Sequence, residues 1–420
     1  MITQKLKLLF VIINLNFLFL QGVGCVTKQK FSSDLPTRPQ AIKKPQTFDT
    51  HGLQRIDNYY WLKERSNPQV LDYLKKENEY TEKSLSESSD LKEKIYAELK
   101  SRVVENEISA PYIRAKYKYS SRFEEGKQYP IYEREDLATQ HKEILLDINK
   151  ESQGADFFEH LKPSFSHDQN FMAYAFDSIG RRFYTIAIKN LKTNSLLPIQ
   201  VDNTTGNLIW SKDNNYFFYT KQHPETLRSY QVYRFDISKN RSTLLYEEKD
   251  ETFSVFLYEN LARNHIFFIS ESTLTTEVHF LKSNSPLSNF TIFTKRKKGH
   301  EYTVYDGGDR FFIKSNDQAL NFKVLEASLK QHNKKYWKEI IPHDPGLFIE
   351  SLIPFKNFIA IFEKNNGLDK IKILDRHSYT FKHLQFKDST YTVDSGIQGD
   401  YDKNILRYVF ESMRQPEQRG

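Results

Sequence analysis

From about Ile108 to the C-terminus, short aromatic and β-branched runs alternate with clusters of Asn, Asp, Ser and Gly, a texture that predicts antiparallel strands. A polar turn followed by an apolar strand start recurs at Tyr117, Phe171, Tyr216, Ile266, Phe311, Phe358 and Ile405, at spacings of 45 to 54 residues. Several strands per unit at such a period predict a β-propeller, whose blades cannot bury their faces alone and stack on their neighbours. Seven anchors predict seven four-stranded blades, with further strands at Phe183–Ile188, Gln231–Phe235 and Lys370–Leu374. A β-sandwich followed by a second sheet domain is the alternative reading.

Before Ile108 the pattern is helical. Asn67-Pro68 joins a capping residue to a proline at the first helical position, and Val70, Leu71 and Leu74 follow at helical spacing. A second helix is expected to open at Asp90, with Glu93 completing a capping box and Ile95, Leu99 and Val103 on one face. Burying Leu71, Leu74, Ile95 and Leu99 would contribute roughly 6–12 kcal/mol, at 1.5–3 kcal/mol each. Such a face requires something to lie against.

The N-terminus is apolar from Leu8 to Leu20, interrupted only by Asn14 and Asn16 and preceded by Lys5 and Lys7. That is too short to span a bilayer and fits the hydrophobic region of an export signal. Gln21-Gly22-Val23-Gly24-Cys25 follows, so Cys25 falls where small residues end the run, as at a bacterial lipoprotein cleavage site whose thiol carries the lipid. Simple cleavage and an uncleaved anchor are the other outcomes. A polar linker, Lys28 to Pro45, leads into the helices. The expected division is a signal or lipoprotein signal over 1–25, linker and helical arm over 26–107, and propeller over 108–420. Membrane contact is then expected only through the lipid on Cys25, in an exported, periplasmic or membrane-anchored protein.

Composition narrows the classes. The chain has 420 residues, 38% of them hydrophobic, with 32 Phe, 25 Tyr and 3 Trp, enough to build a core and to exclude wholesale disorder. One cysteine excludes an internal disulfide and any zinc site built on two thiolates. The formal charge is +7, but acids and bases are interspersed, and Lys295-Arg296-Lys297-Lys298 is the one compact basic run. No nucleic-acid partner is expected, because a basic stripe within a binding motif is lacking.

The search for chemistry returns little. A serine nucleophile on a strand-to-helix elbow needs Gly-x-Ser-x-Gly, which occurs nowhere in the chain. His-Glu-x-x-His and a phosphate-binding loop are also missing, and Gly307-Gly308 reads as a hairpin turn. His160 with His167, and His332 with His343, lack further ligands at a convincing spacing. No catalytic residue, metal site or cofactor is therefore assigned; Cys25 is the one candidate site, for lipidation.

The residues nevertheless resemble a known family. His51-Gly52, Arg55, Asp57, Tyr59, Trp61-Leu62, Asn67-Pro68, Val70, Tyr73-Leu74 and Glu77-Asn78 resemble the N-terminal signature of the prolyl oligopeptidase superfamily. Arg122–Gly126 with Tyr129–Tyr132, Gly180–Arg182 with Tyr184-Thr185, Thr226–Tyr233, and Glu248–Asp250 with Thr252-Phe253 are similar to oligopeptidase B in particular. The likeness runs from about Pro39 to the end of the chain. It implies a serine peptidase made of a seven-bladed propeller and a C-terminal α/β-hydrolase domain that carries Ser, Asp and His. Oligopeptidase B cleaves short peptides after Arg or Lys, with the propeller acting as a lid that selects substrates by access. The family packs its N-terminal helices on the hydrolase domain.

The hydrolase domain is missing from these 420 residues. The resemblance therefore implies the substrate-gating portion of a peptidase, inactive by itself, with the α/β-hydrolase domain as its missing partner and short basic peptides as substrates of the complete enzyme. A lipid-anchored propeller serving as a binding or scaffold module is the alternative.

Overall fold

The computed structural model describes residues 37–419, which include neither Cys25 nor the expected signal. The chain divides into two compact units between Val104 and Glu105.

The first unit begins with a hairpin, Gln46–Thr50 paired with Leu53–Asp57, turned by His51-Gly52 with both residues at positive φ. That geometry matches the right-handed twist of two strands joined by a two-residue loop. Trp61 is buried beside it and donates its indole N–H to the Ile42 carbonyl at 2.9 Å. Helix α1 spans Pro68–Leu85, and its Asn67 cap is extended and accepts from the Gln69 N–H at 2.9 Å, as expected. Helix α2 spans Ser89–Ser101. The capping box at Asp90 is not formed. The backbone passes from α1 through a 3-10 turn at Ser86–Ser88, with Leu85 at φ −97, ψ 1 and Ser88 at φ −99, ψ 5, so no residue takes the extended conformation a cap needs. Val103 lies beyond the helix end. Val70 is buried, whereas Leu71, Leu74, Ile95 and Leu99 are 46–60% exposed.

The second unit is all β. Its sheets follow one another along the chain, and their pairings are antiparallel. The first contains Tyr112–Arg114, Tyr117–Arg122, Ile131–Asp136 and Lys142–Asp147, and the last contains Tyr391–Ser395, Tyr408–Ser412 and Gln415–Arg419. Anchors Tyr117, Phe171, Tyr216, Phe311 and Phe358 open or nearly open the second strand of a four-strand group; Ile266 is the second residue of its strand and Ile405 falls three residues before Tyr408.

Among the described residues the expected seven separate four-stranded blades are not found. Five sheets of three or four strands and one of eight stand in their place. The eight-stranded sheet arises because Ser195–Trp210 is a single 16-residue strand. Its first part pairs with Tyr184–Asn190 and its second with Tyr216–Gln222, and Thr204 pairs in both directions. Between Thr204 and Leu208 the register shifts, and Gly206 sits there at φ +81. A residue with a Cβ is strained at that φ, so the bend that separates the two halves depends on glycine. The last sheet has three strands among the described residues, so no fourth partner completes its edge there.

The core lies between sheets. Phe267, Phe311 and Ile313 fill one layer, Phe312, Ile349 and Ile361 the next, and Tyr119, Leu145 and Met172 join the first sheet to the eight-stranded one. This stacking of face on face is what a propeller requires. Long-range hydrogen bonds close the succession: the Ala115 N–H, in the first sheet's first turn, donates to the Asp400 carboxylate at 2.9 Å.

Candidate functional site

The meeting of first and last sheets is built by one segment, residues 396–407, between the last sheet's first two strands. Gln398 braces it, accepting from the Arg407 N–H at 3.0 Å and donating to the Arg407 carbonyl at 2.6 Å. Gly399 lets it approach the first strand, because a Cβ there would stand 2.7 Å from the Ile113 carbonyl oxygen. Asp400 receives the Ala115 N–H. Tyr401 reaches the other way, donating to the Gly307 carbonyl at 2.6 Å and accepting from Arg376 at 2.9 Å. Gly308 leaves room for that phenol; a Cβ would lie 2.5 Å from its oxygen.

Behind this segment lies a cavity of about 330 Å³, within the range of small-ligand sites. Tyr112, Tyr119, Tyr132 and Phe165 supply aromatic walls, and the last sheet contributes Ile397, Arg407 and Tyr408. Tyr112 and Tyr119 stack with ring centres 5.4 Å apart, and Tyr119 lies 4.5 Å from Phe165. Register places Tyr112, Tyr119 and Tyr132 on one face of the first sheet, while Phe165 comes from the neighbouring sheet.

Two acids and two bases also line the cavity. Glu133 is engaged, accepting from Arg122 Nε at 3.1 Å and from the Ser120 hydroxyl at 3.1 Å. Arg122 also contacts Glu124. Glu107 is the second acid, while Lys162 and Arg407 form no ion pair among the described residues. Burial pushes the Tyr119 phenol up to about 12, against the opposing effect of Arg134, and burial also takes Tyr132 to about 12. Tyr112 is raised by burial as well. At neutral pH these phenols keep their protons and act as hydrogen-bond donors, not as bases or nucleophiles. The arrangement suits binding: aromatic walls and two cations without an ion-pair partner among the described residues.

The residues singled out in the sequence are dispersed. Cys25 lies outside the described residues. His160 Nε2 is 3.2 Å from the Tyr132 hydroxyl, and burial lowers its pKa. His167 Nε2 is 3.3 Å from the Trp210 carbonyl, and burial, helped by Arg263, takes it down to about 4. His332 packs on Phe280 and Phe293, while His343 accepts from the Asn321 N–H at 3.3 Å. Among the described residues no three His, Cys, Asp or Glu side chains are grouped to hold a metal ion. The basic run is split in role: Arg296 turns inward to Glu248 at 2.6 Å and lies 4.1 Å above the Phe253 ring. Sequence reasoning passed over Tyr112, Lys162 and Arg407. Tyr112 and Arg407 stand at opposite ends of the second unit, and no local pattern announces that they meet.

Comparison with known proteins bears on 39–419, which match the family described as "Prolyl oligopeptidase, N-terminal beta-propeller domain". Dipeptidyl aminopeptidase BI of Pseudoxanthomonas mexicana is 31% identical over 406 residues, an alignment that takes in 91% of this chain and 55% of that protein. Protease 2 of Moraxella lacunata is 30% identical over 389 residues, 90% of this chain and 56% of the other. Among solved structures, oligopeptidase B from Leishmania major superposes with a TM-score of 0.84 at 26% identity, over 91% of this chain and 58% of that one. The chain thus spans a little over half the length of the relatives it matches.

Proposed function

This chain belongs to the prolyl oligopeptidase family through its N-terminal β-propeller domain, and from that premise we propose that it is the substrate-gating portion of an oligopeptidase B-like serine peptidase acting on short peptides after Arg or Lys. The observation that carries the reading is the match over 39–419, joined to the structural likeness to oligopeptidase B across 91% of the chain. Hydrolysis in this reading needs an α/β-hydrolase domain from outside these 420 residues, since Gly-x-Ser-x-Gly is found nowhere in them. The propeller's contribution is selection by access: a folded protein cannot thread to the nucleophile, whereas a short flexible peptide can.

The arm supports the same reading. Leu71 and Leu74 on α1, with Ile95 and Leu99 on α2, leave an apolar surface exposed, as an element that lies against a hydrolase domain would. Incubating the purified chain with a fluorogenic Arg-containing peptide tests the proposal. No turnover is expected from the chain by itself, and turnover once the C-terminal domain of an oligopeptidase B is supplied. Cleavage by the chain alone, blocked by a serine-reactive inhibitor, would overturn it.

A further inference from the structure

We propose that the cavity between the first and last sheets binds the C-terminal carboxylate end of a short peptide; this rests on the peptide reading above. Three observations converge. Of the four charged groups lining the cavity, Glu133 is engaged by Arg122 and Ser120 and Glu107 is also engaged, while Lys162 and Arg407 have no ion-pair partner among the described residues. The site therefore has two cationic side chains available to an anion, and Arg presents a planar fork suited to a carboxylate.

The second observation is the Tyr112 hydroxyl, which makes no hydrogen bond among the described residues and faces the same cavity wall as Tyr119, whose own hydroxyl is taken by Gln169 at 2.7 Å. Burial raises the Tyr112 pKa, so this phenol remains a donor at neutral pH. The third is the edge of a strand flanking the cavity. Among the described residues Tyr391–Ser395 pairs only with Tyr408–Ser412 and so leaves one edge of its backbone open, whereas the free side of Tyr112–Arg114 is approached by Gly399 at the Ile113 carbonyl. Open strand edges bond peptide backbone, which an inorganic anion does not have. Aromatic walls then suit a large apolar side chain at the terminal residue.

Isothermal titration of the full chain tests this with N-acetyl-Ala-Phe, its C-terminal carboxamide, 3-phenylpropanoate and inorganic phosphate. The free-acid peptide is expected to bind saturably and to raise the melting temperature, since it holds two sheets together. The carboxamide is expected to bind about ten-fold more weakly or worse, the loss of one charge-assisted contact. Phenylpropanoate and phosphate are expected to be weaker than the peptide. Arg407→Gln should weaken the acid about ten-fold and leave the carboxamide unchanged, a split that general loosening of the fold cannot produce. Lys162→Gln, at an exposed position, provides the same comparison if Arg407→Gln does not fold. Ala110→Phe should fill the cavity and abolish binding at an unchanged melting temperature.

Absence of binding, equal affinity for acid and carboxamide, equal or tighter binding of either small anion, or full binding by Ala110→Phe would each overturn the proposal. None of these results requires turnover, so the failure of this inference is distinguishable from failure of the peptidase reading.

Discussion

Arg296 shows what one side chain contributes when the residues around it are buried. Its guanidinium meets Glu248 at 2.6 Å, Glu277 at 3.4 Å and the Tyr246 hydroxyl at 3.2 Å. Burial alone would raise the Glu248 carboxyl, but hydrogen bonds from Arg296, Ser270 and Tyr246 outweigh it and hold the group at about 2. Glu277 is held at about 2 in the same way, with His279 the leading partner. A carboxyl depressed in the folded state contributes stability above its unfolded pKa, near 4.5, and loses it as pH falls toward 2. Arg296→Gln leaves the Glu248 charge buried with less compensation and should cost about 2–4 kcal/mol at pH 7. Urea unfolding at a series of pH values checks this: the penalty should shrink steadily below pH 4.5, and a pH-independent penalty would show that the ion pair is not its source. Gly399→Ala is a second test at this scale. Its Cβ would press on the Ile113 carbonyl, a backbone atom that cannot swing aside, so the melting temperature should fall with a cost of about 1–3 kcal/mol.

At the scale of elements, local chemistry and tertiary context part company. Asn67 caps α1 through the Gln69 N–H, and Asn67→Ala should cost about 1 kcal/mol and fray the first turn, seen as lost helical ellipticity and faster amide exchange at Gln69 and Val70. This start was legible because capping and the proline at position 68 act within one turn. So were the strand starts at Tyr117, Phe171, Tyr216, Phe311 and Phe358, where a polar turn abuts an apolar run. The start of α2 was misread, since Asp90 and Glu93 carry the capping residues but the backbone arrives already helical from Ser86–Ser88. The Gln46–Asp57 hairpin went unread because its strands are largely polar and exposed. Separate sheets were expected where Ser195–Trp210 joins two groups, because pairing in both directions at Thr204 is a tertiary fact that no periodicity records. Of the candidate site, Tyr132 stood within a recognised motif, but its partners Arg407 and Lys162 become neighbours only when the first and last sheets meet.

Across the whole molecule, stability is uneven in a way the burial pattern makes explicit. Phe267, Phe311, Phe312 and Ile361 are fully or almost fully buried between internal sheets, each worth roughly 1.5–3 kcal/mol. Among the described residues of the last sheet only Val393 and Phe410 are buried hydrophobics, and Met413 at its turn is almost fully exposed. The junction of first and last sheets holds a cavity where other junctions hold phenylalanine, and a hydrogen bond from Ala115 to Asp400 is one of its few direct ties. Opening free energy follows buried apolar contact, so this junction should be the first part of the ring to open. Amide exchange under native conditions tests the ordering. Tyr408–Ser412 and Tyr112–Arg114 should exchange well before Arg310–Ser315 and Phe358–Asn365, and Asp400→Ala should quicken exchange in the first pair while leaving the second unchanged. Equal protection in all four strands would mean that the sheets unfold only together and that the cavity does not weaken this junction.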